Sequence, residues 1–213
     1  MAAHRGQSFD DSLRASRRTA WLVGVDEAGR GPWAGPLVVA AVRLGPKVPP
    51  QLLGARDSKL LPPSRRETLC AAIRANAAAV AVAWAQPRDI ERLNVLAATL
   101  HAMRRAALRA AAGVAPADCL VVVDGNRRIP DLPLEQLAVV DGDRLSLAVS
   151  AASIVAKVVR DRWMLGLDRR YPGYGLARHK GYGTAGHREA LDRLGPSPAH
   201  RRTFEPVCQL KLL

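Results

Sequence analysis

The sequence predicts an α/β domain, and three observations carry that expectation. Short apolar runs of strand type recur along the chain, stretches of helical character lie between and after them, and no repeat, linker or low-complexity stretch divides the set. With 213 residues, 48% of them apolar and 24% charged, the chain is long enough to bury a sizeable core. That balance excludes a wholly disordered or coiled-coil chain.

Residues 1 to 18 are polar and poor in core-forming side chains, so they are expected to form a flexible leader, with residues 19 to 213 as a single domain. Ala20 to Val25 is a first strand, carried by Trp21, Leu22, Val23 and Val25. The Gly/Pro-rich stretch from Gly29 to Pro36 turns the chain into a second strand at Leu37 to Leu44, placed beside the first. After Pro62 and Pro63, Ser64 stands three residues before Glu67, the spacing of a capping box, and predicts a helix to about Asn76. Val80 to Ala85 reads as a strand and Ile90 to Ala112 as one long helix closed by Gly113. Cys119 to Val123 and Leu137 to Val140 are further strands, each ending at acidic Asp/Gly residues. Ser146 to Arg170 and Thr184 to Leu194 complete the set as helices.

The formal charge is +13, from 27 Arg and 5 Lys against 19 acids. Such an excess favours a polyanionic partner, nucleic acid or an anionic membrane surface, although an Arg- and Ala-rich coding bias gives the same figure. Its placement is more informative, because residues 144 to 213 hold 13 Lys and Arg against 5 acids. No apolar run approaches the roughly 20 residues that span a bilayer, and residues 1 to 18 lack the apolar centre of a signal peptide. Cys70, Cys119 and Cys208 are too few and too scattered for a disulfide framework or a zinc knuckle. A cytoplasmic protein with no membrane association is expected, and a monomer.

Acids recur where strands end: Asp26 and Glu27 after the first run, Asp124 after the run from Cys119, Asp143 shortly after the last. An α/β sheet opens to ligands at such ends. Neighbours on a regular strand face opposite ways, so Asp26 and Glu27 are expected to converge through a break of the pleat at residues 28 to 32. Several carboxylates drawn together repel, and a hard divalent cation with oxygen ligands relieves them, which points to Mg²⁺ or Mn²⁺. Ser146, Ser150, Ser153, Lys157 and Arg160 fall at helical steps of four and three, giving one polar stripe on which a phosphate backbone could lie; an ordinary solvated face gives the same pattern. Lys59, Lys180 and Arg201 are further phosphate-contact candidates, whereas His179, His187 and His200 lack metal-ligand spacing and read as hydrogen-bonding loop residues.

These residues sit in motifs. Residues 24 to 31 read Gly-Val-Asp-Glu-Ala-Gly-Arg-Gly, followed by Ala34-Gly35-Pro36, Asp57-Ser58-Lys59, Val123-Asp124-Gly125 and Gly142-Asp143. Then come Ala-Ala-Ser-Ile-Val-Ala-Lys at 151 to 157, Arg160-Asp161, His179-Lys180-Gly181-Tyr182, His200-Arg201 and Phe204-Glu205-Pro206. In this order, over about residues 20 to 207, the chain resembles the bacterial type 2 ribonuclease H family, ribonuclease HII. The resemblance implies a ribonuclease H-like fold with a mixed central sheet flanked by helices. It also implies metal-dependent endonucleolytic hydrolysis of the RNA strand of RNA–DNA hybrid duplexes, and cutting 5′ of single ribonucleotides in ribonucleotide-containing DNA. By motif, Asp26, Glu27, Asp124 and Asp143 are the implied catalytic and metal-binding carboxylates, with Asp143 taken over Asp141 for its place directly after Gly142.

Such a reaction needs no side-chain nucleophile, because two divalent ions activate water and hold the leaving oxygen. Reading a ribonucleotide means reading its 2′-hydroxyl. Gly29, Arg30 and Gly31 suit that task, since glycines admit close backbone approach and Arg30 can grip the adjacent phosphate; the same segment also serves as a tight turn. The resemblance implies that Tyr182 senses the RNA-to-DNA junction. With Lys59, Ser150, Ser153 and Lys157 these form the expected substrate-binding set. Two other classes are disfavoured: the four carboxylates in their motifs speak against a basic binding module whose acids only close turns, and Gly29, Arg30 and Gly31 with Tyr182 speak against a nuclease of the same fold acting on DNA.

Overall fold

The computed structural model describes residues 5–55, 58 and 61–209. Five strands form one mixed sheet: β1 (Trp21–Ala28), β2 (Leu37–Leu44), β3 (Ala79–Ala85), β4 (Cys119–Asp124) and β5 (Glu135–Val139), in the spatial order β3-β2-β1-β4-β5. The β1–β2 and β2–β3 pairs are antiparallel, and the β1–β4 and β4–β5 pairs parallel. β1 and β4 therefore end at the same side of the sheet.

Helices cover both faces. α1 (Arg5–Arg17), α2 (Pro63–Asn76) and α6 (Leu147–Arg170) lie on one; α3 (Pro87–Leu93) and α4 (Val95–Ala111) lie on the other. The alternation of β1 divides its side chains between two cores: Leu22 joins the α6 side, Val23 and Val25 the α4 side. Gly24 falls on the α6 side, where a Cβ would lie 2.1 Å from the Ala148 backbone, so only glycine allows α6 to start directly on the strand. A third, smaller cluster joins Ala34, Met164, Leu176 and Leu191, and packs α7 (Leu176–His179) and α8 (Ala185–Leu194) against the end of α6. α5 (Gly142–Leu145) is a single turn before α6.

Four expectations are corrected. Residues 5 to 17 of the supposed leader are helical, and the buried Asp10 accepts the Ala148 N–H at the start of α6 across 3.0 Å. Four exposed amides at a helix start need partners, and this one is supplied from a residue that looked like leader. The capping box at Ser64 is not formed: α2 starts at Pro63 with Pro62 as its cap and no side-chain cap bond, while Glu67 pairs with Arg162 of α6. The long helix from Ile90 is two helices, because Asn94 adopts φ 66° and its side chain accepts the Ala97 N–H, starting α4 afresh. The pleat of β1 also runs unbroken through Asp26 and Glu27, which pair with Ala40 and Val39 of β2. Among the described residues no helix is long and apolar enough to cross a membrane.

Candidate active site

β1 keeps its pairing with β2 to Ala28 but leaves β4 after Val25. Past that point its free edge faces open space, and a cleft of about 240 Å³ is lined by Asp26, Glu27, Gly29, Arg30, Gly31, Ser58, Asp124, Ser153, Lys157, Arg160 and Tyr182. By alternation Asp26 faces α6, while Glu27 faces the α4 side and also borders a small hollow with Leu96, Thr99 and Met103. The acids meet because the cleft wraps round the end of the sheet. No kink in the strand is required.

Asp26 is 5% exposed, and its Oδ1 accepts the Glu27 N–H at 2.6 Å. Burial holds its carboxyl well above the ordinary carboxylate range, and the charges of Glu27 and Asp124 push it the same way, against the Ser153 hydroxyl that hydrogen-bonds it. Asp124 closes β4, and its Oδ1 accepts the Asp143 N–H at 3.3 Å, so α5 is joined to the strand end through that pair. The Asp143 carbonyl accepts the Ser150 hydroxyl at 2.5 Å. Glu27 lies 3.5 Å from the Arg30 guanidinium.

This donor set is made of hard anionic oxygens, and the carboxyl of Asp26 is pushed up by burial first and by its negative neighbours second. That chemistry fits a divalent cation. Among the described residues no three His, Cys, Asp or Glu side chains close into a finished cage. Asp26, Glu27 and Asp124 instead line an open cleft, while Asp143 is buried outside its lining and is tied to it through its N–H on Asp124.

The substrate-binding expectations divide. Gly29, Arg30, Gly31, Ser153, Lys157 and Tyr182 all line the cleft, with Tyr182 48% exposed. Lys157 reaches Asp161 at 2.7 Å, and Asp161 also lies 3.7 Å from Arg66. Ser150 does not line the cleft, its hydroxyl being committed to Asp143. The polar stripe is no solvated face: Ser146, Ser150, Ser153 and Arg160 are all buried. Lys59 lies outside the described residues. Its neighbour Ser58 was missed, although it stands in the same Asp-Ser-Lys motif; it is buried and its Oγ lies 2.8 Å from that of Ser153.

Two cations read as phosphate contacts are structural instead. Arg160, 1% exposed, donates to the carbonyls of Pro36, Ala34 and Lys180, and Arg201, without exposure, donates to those of Gly29, Arg30 and Gly35. Burial pulls both guanidinium pKa values down, that of Arg201 to about 9 with help from the charge of Arg160. Lys180 turns its ammonium onto the Ala177 carbonyl. His187 sits in α8 rather than in a loop, and is buried together with His200.

The Ribonuclease HII family profile matches residues 23–207. The ribonuclease HII of Albidiferax ferrireducens is 52% identical over 189 residues, 89% of this chain and 88% of that one. That of Halorhodospira halophila is 52% identical over 194 residues, 91% of this chain and 96% of that one. Among solved structures, the ribonuclease H2 of Pyrococcus horikoshii superposes with a TM-score of 0.72 at 27% identity, over 90% of this chain and 97% of that one. Bst-RNase HIII in complex with Mn²⁺ superposes at 0.70 over 91% of this chain and 70% of that one; at 22% identity it speaks for the fold alone.

Proposed function

The chain belongs to the ribonuclease HII family and is a ribonuclease H, a phosphodiester hydrolase acting on the RNA of RNA–DNA hybrids; within that activity we propose that it also cuts duplex DNA on the 5′ side of a single embedded ribonucleotide. The observation that carries this reading is the meeting of Asp26, Glu27 and Asp124 with Gly29, Arg30, Gly31 and Tyr182 in one cleft. An acidic centre thereby adjoins a backbone able to approach a sugar closely.

Asp26, Glu27, Asp124 and Asp143 would hold two divalent cations, Mn²⁺ or Mg²⁺, which when bound supply water activation and charge relief at the leaving oxygen. The chain's own groups do the rest. Burial and the charges of Glu27 and Asp124 raise the Asp26 carboxyl, and a bound cation would favour its ionised form. Gly29, Arg30 and Gly31 present backbone polar groups to the 2′-hydroxyl, and the half-exposed Arg30 side chain reaches the adjacent phosphate. Tyr182 packs its ring on the deoxyribose that follows, with Arg160 5.9 Å from its centroid. Lys157, held by Asp161, meets the phosphate backbone. A monomer has every one of these groups in a single chain, and a cytoplasmic location agrees with a nucleic-acid substrate.

The test is a labelled duplex carrying one ribonucleotide, incubated with Mg²⁺, with Mn²⁺ and with chelator. Cutting 5′ of the ribonucleotide in either metal, and none in chelator, is the expected result. An intact duplex in both metals, beside normal cutting of continuous hybrid, contradicts the reading. A basic module without chemistry would leave both substrates whole.

A further inference from the structure

Behind Tyr182 lies a buried group of imidazoles that no step above uses. His187 and His200 are 0% and 1% exposed, with their Nε2 atoms 3.0 Å apart. The Trp33 ring centroid lies 5.3 Å from that of His187, and His179 stacks on His187 at 4.3 Å.

The hydrogen bonds at the two ends fix the protons between them. At one end the Ser197 backbone N–H points at His200 Nδ1 from 3.0 Å. An amide only donates, so His200 Nδ1 accepts and, in a neutral ring, Nε2 carries the hydrogen. At the other end His187 Nδ1 lies 2.9 Å from the Tyr182 carbonyl oxygen. A carbonyl only accepts, so His187 Nδ1 carries the hydrogen and Nε2 accepts. Both conclusions, reached independently, give one arrangement across the middle: His200 Nε2–H donates to His187 Nε2. A second proton on either ring would set two donors face to face. Burial lowers both imidazole pKa values, His200 to about 4, which keeps the pair neutral at neutral pH.

The terminus of this chain is the peptide that carries the junction-reading ring. The Tyr182 carbonyl also accepts the Thr184 N–H, and the Tyr182 N–H donates to His179 O, so the peptide is held on both sides. The same segment that starts the chain, Ser197 to Arg201, also clamps the Gly29 and Arg30 carbonyls through Arg201. One segment, buried at Ser197, His200 and Arg201, thus sets both substrate-facing loops.

We propose that His200 and His187 form a one-way hydrogen-bond relay that positions Tyr182, and that the relay sets the preference for an embedded ribonucleotide over continuous hybrid; this rests on the junction-sensing reading of Tyr182. His187 and His200 are positioning residues, since neither lines the cleft.

Two measurements on the full chain test it. Nitrogen-15 correlations of the imidazoles at neutral pH should show His187 as the Nδ1–H tautomer and His200 as the Nε2–H tautomer. The opposite tautomer on His187 overturns the relay. Second, kcat/KM is measured on a single-ribonucleotide duplex and on continuous hybrid for wild type, His187→Phe, His187→Asn, Tyr182→Ala and the Tyr182→Ala/His187→Phe double variant. Losing a buried hydrogen bond should lower the ratio of the two values about tenfold in His187→Phe. His187→Asn, whose amide can donate where Nδ1–H stood, should restore most of it, and the double variant should be no less selective than Tyr182→Ala. Equal losses on both substrates in His187→Phe would reduce the pair to packing and overturn the proposal. If Tyr182→Ala keeps the wild-type ratio, the junction-sensing reading falls and takes the relay's role with it. A ratio lowered by Tyr182→Ala and untouched by His187→Phe sinks the relay alone. Should His187→Phe fail to fold, the tautomers and the Asn variant decide.

Discussion

Arg201 donates to the carbonyl oxygen of Gly29 across 2.6 Å from a position with no solvent exposure. The same guanidinium takes the carbonyls of Arg30 and Gly35, so the turn after β1 is shaped around one buried cation. Arg160 does the same from α6 for the carbonyls of Ala34 and Pro36. The loop that lines the candidate cleft is therefore held by two buried guanidinium groups spent on its carbonyls.

Replacing that cation should cost stability and activity together. Arg201→Met leaves buried carbonyls without a donor, a loss of at least about 3 kcal/mol in urea unfolding. Arg201→Lys should recover little, since an ammonium cannot reproduce the planar fork. Wild-type unfolding midpoints for both variants would contradict the buttressing role.

The two glycines flanking Arg30 should respond differently. Gly29 has φ 95°, and a Cβ there would stand 1.9 Å from Arg160 Nε, so Gly29→Ala should unfold at markedly lower denaturant. A Cβ on Gly31 meets nothing within 4 Å. Gly31→Ala should keep wild-type stability within about 0.5 kcal/mol yet cleave single-ribonucleotide duplex much more slowly, because only the sugar would clash. Full activity in a stably folded Gly31→Ala protein would remove this glycine from substrate reading.

Acid should weaken the fold through His200. Its pKa falls from 6.5 to about 4 on folding, by burial first and then by His187. A depressed pKa means that the unfolded chain binds more protons in this window. The stability contribution is present above about pH 6.5 and is lost as pH falls toward 4, by up to about 3 kcal/mol. Asp10 has the opposite sign: its pKa rises from 3.8 to about 6, so its contribution is present below 3.8 and is lost as pH rises to 6. Denaturation curves from pH 4 to 7 for wild type and His200→Gln isolate the histidine, and equal pH slopes would contradict it.

Lys157 lines the cleft beside Asp161 and is the one cation of the polar stripe left partly open to solvent. Lys157→Ala should weaken duplex binding and reduce the salt slope of log K by about one unit. Arg160→Met should instead lower stability, its guanidinium being spent on carbonyls. An unchanged slope in Lys157→Ala would take it off the phosphate path.

Local signals were legible and distant ones were not. The strands appeared as apolar runs, and the acids Asp26, Glu27 and Asp124 appeared as carboxylates at strand ends within ordered motifs, because both depend on neighbours in sequence. Asp10 looked like part of a polar leader because its partner, Ala148, lies 138 positions away. Arg160 and Arg201 looked like phosphate ligands because the carbonyls they satisfy, that of Lys180 apart, stand more than 120 residues from them in the chain. The stripe of Ser146, Ser150, Ser153, Lys157 and Arg160 had the period of a surface face, yet all but Lys157 are buried, and periodicity cannot tell which polar face a cleft will claim. The break at Asn94 rests on one left-handed residue, and the alternation of Ala, Leu and Arg around it carries no trace of that.

The central claim is that the carboxylates at the ends of β1 and β4 perform the cleavage with divalent metal. Cleavage of a continuous RNA–DNA hybrid by wild type and by Asp124→Asn, each in Mn²⁺, in Mg²⁺ and in chelator, tests it most directly. Wild type should cut in metal and stop in chelator, and Asp124→Asn should be slower by at least about a hundredfold in either metal while keeping wild-type stability. A stable Asp124→Asn protein that cuts at the wild-type rate, or a wild type that cuts equally in chelator, would contradict it.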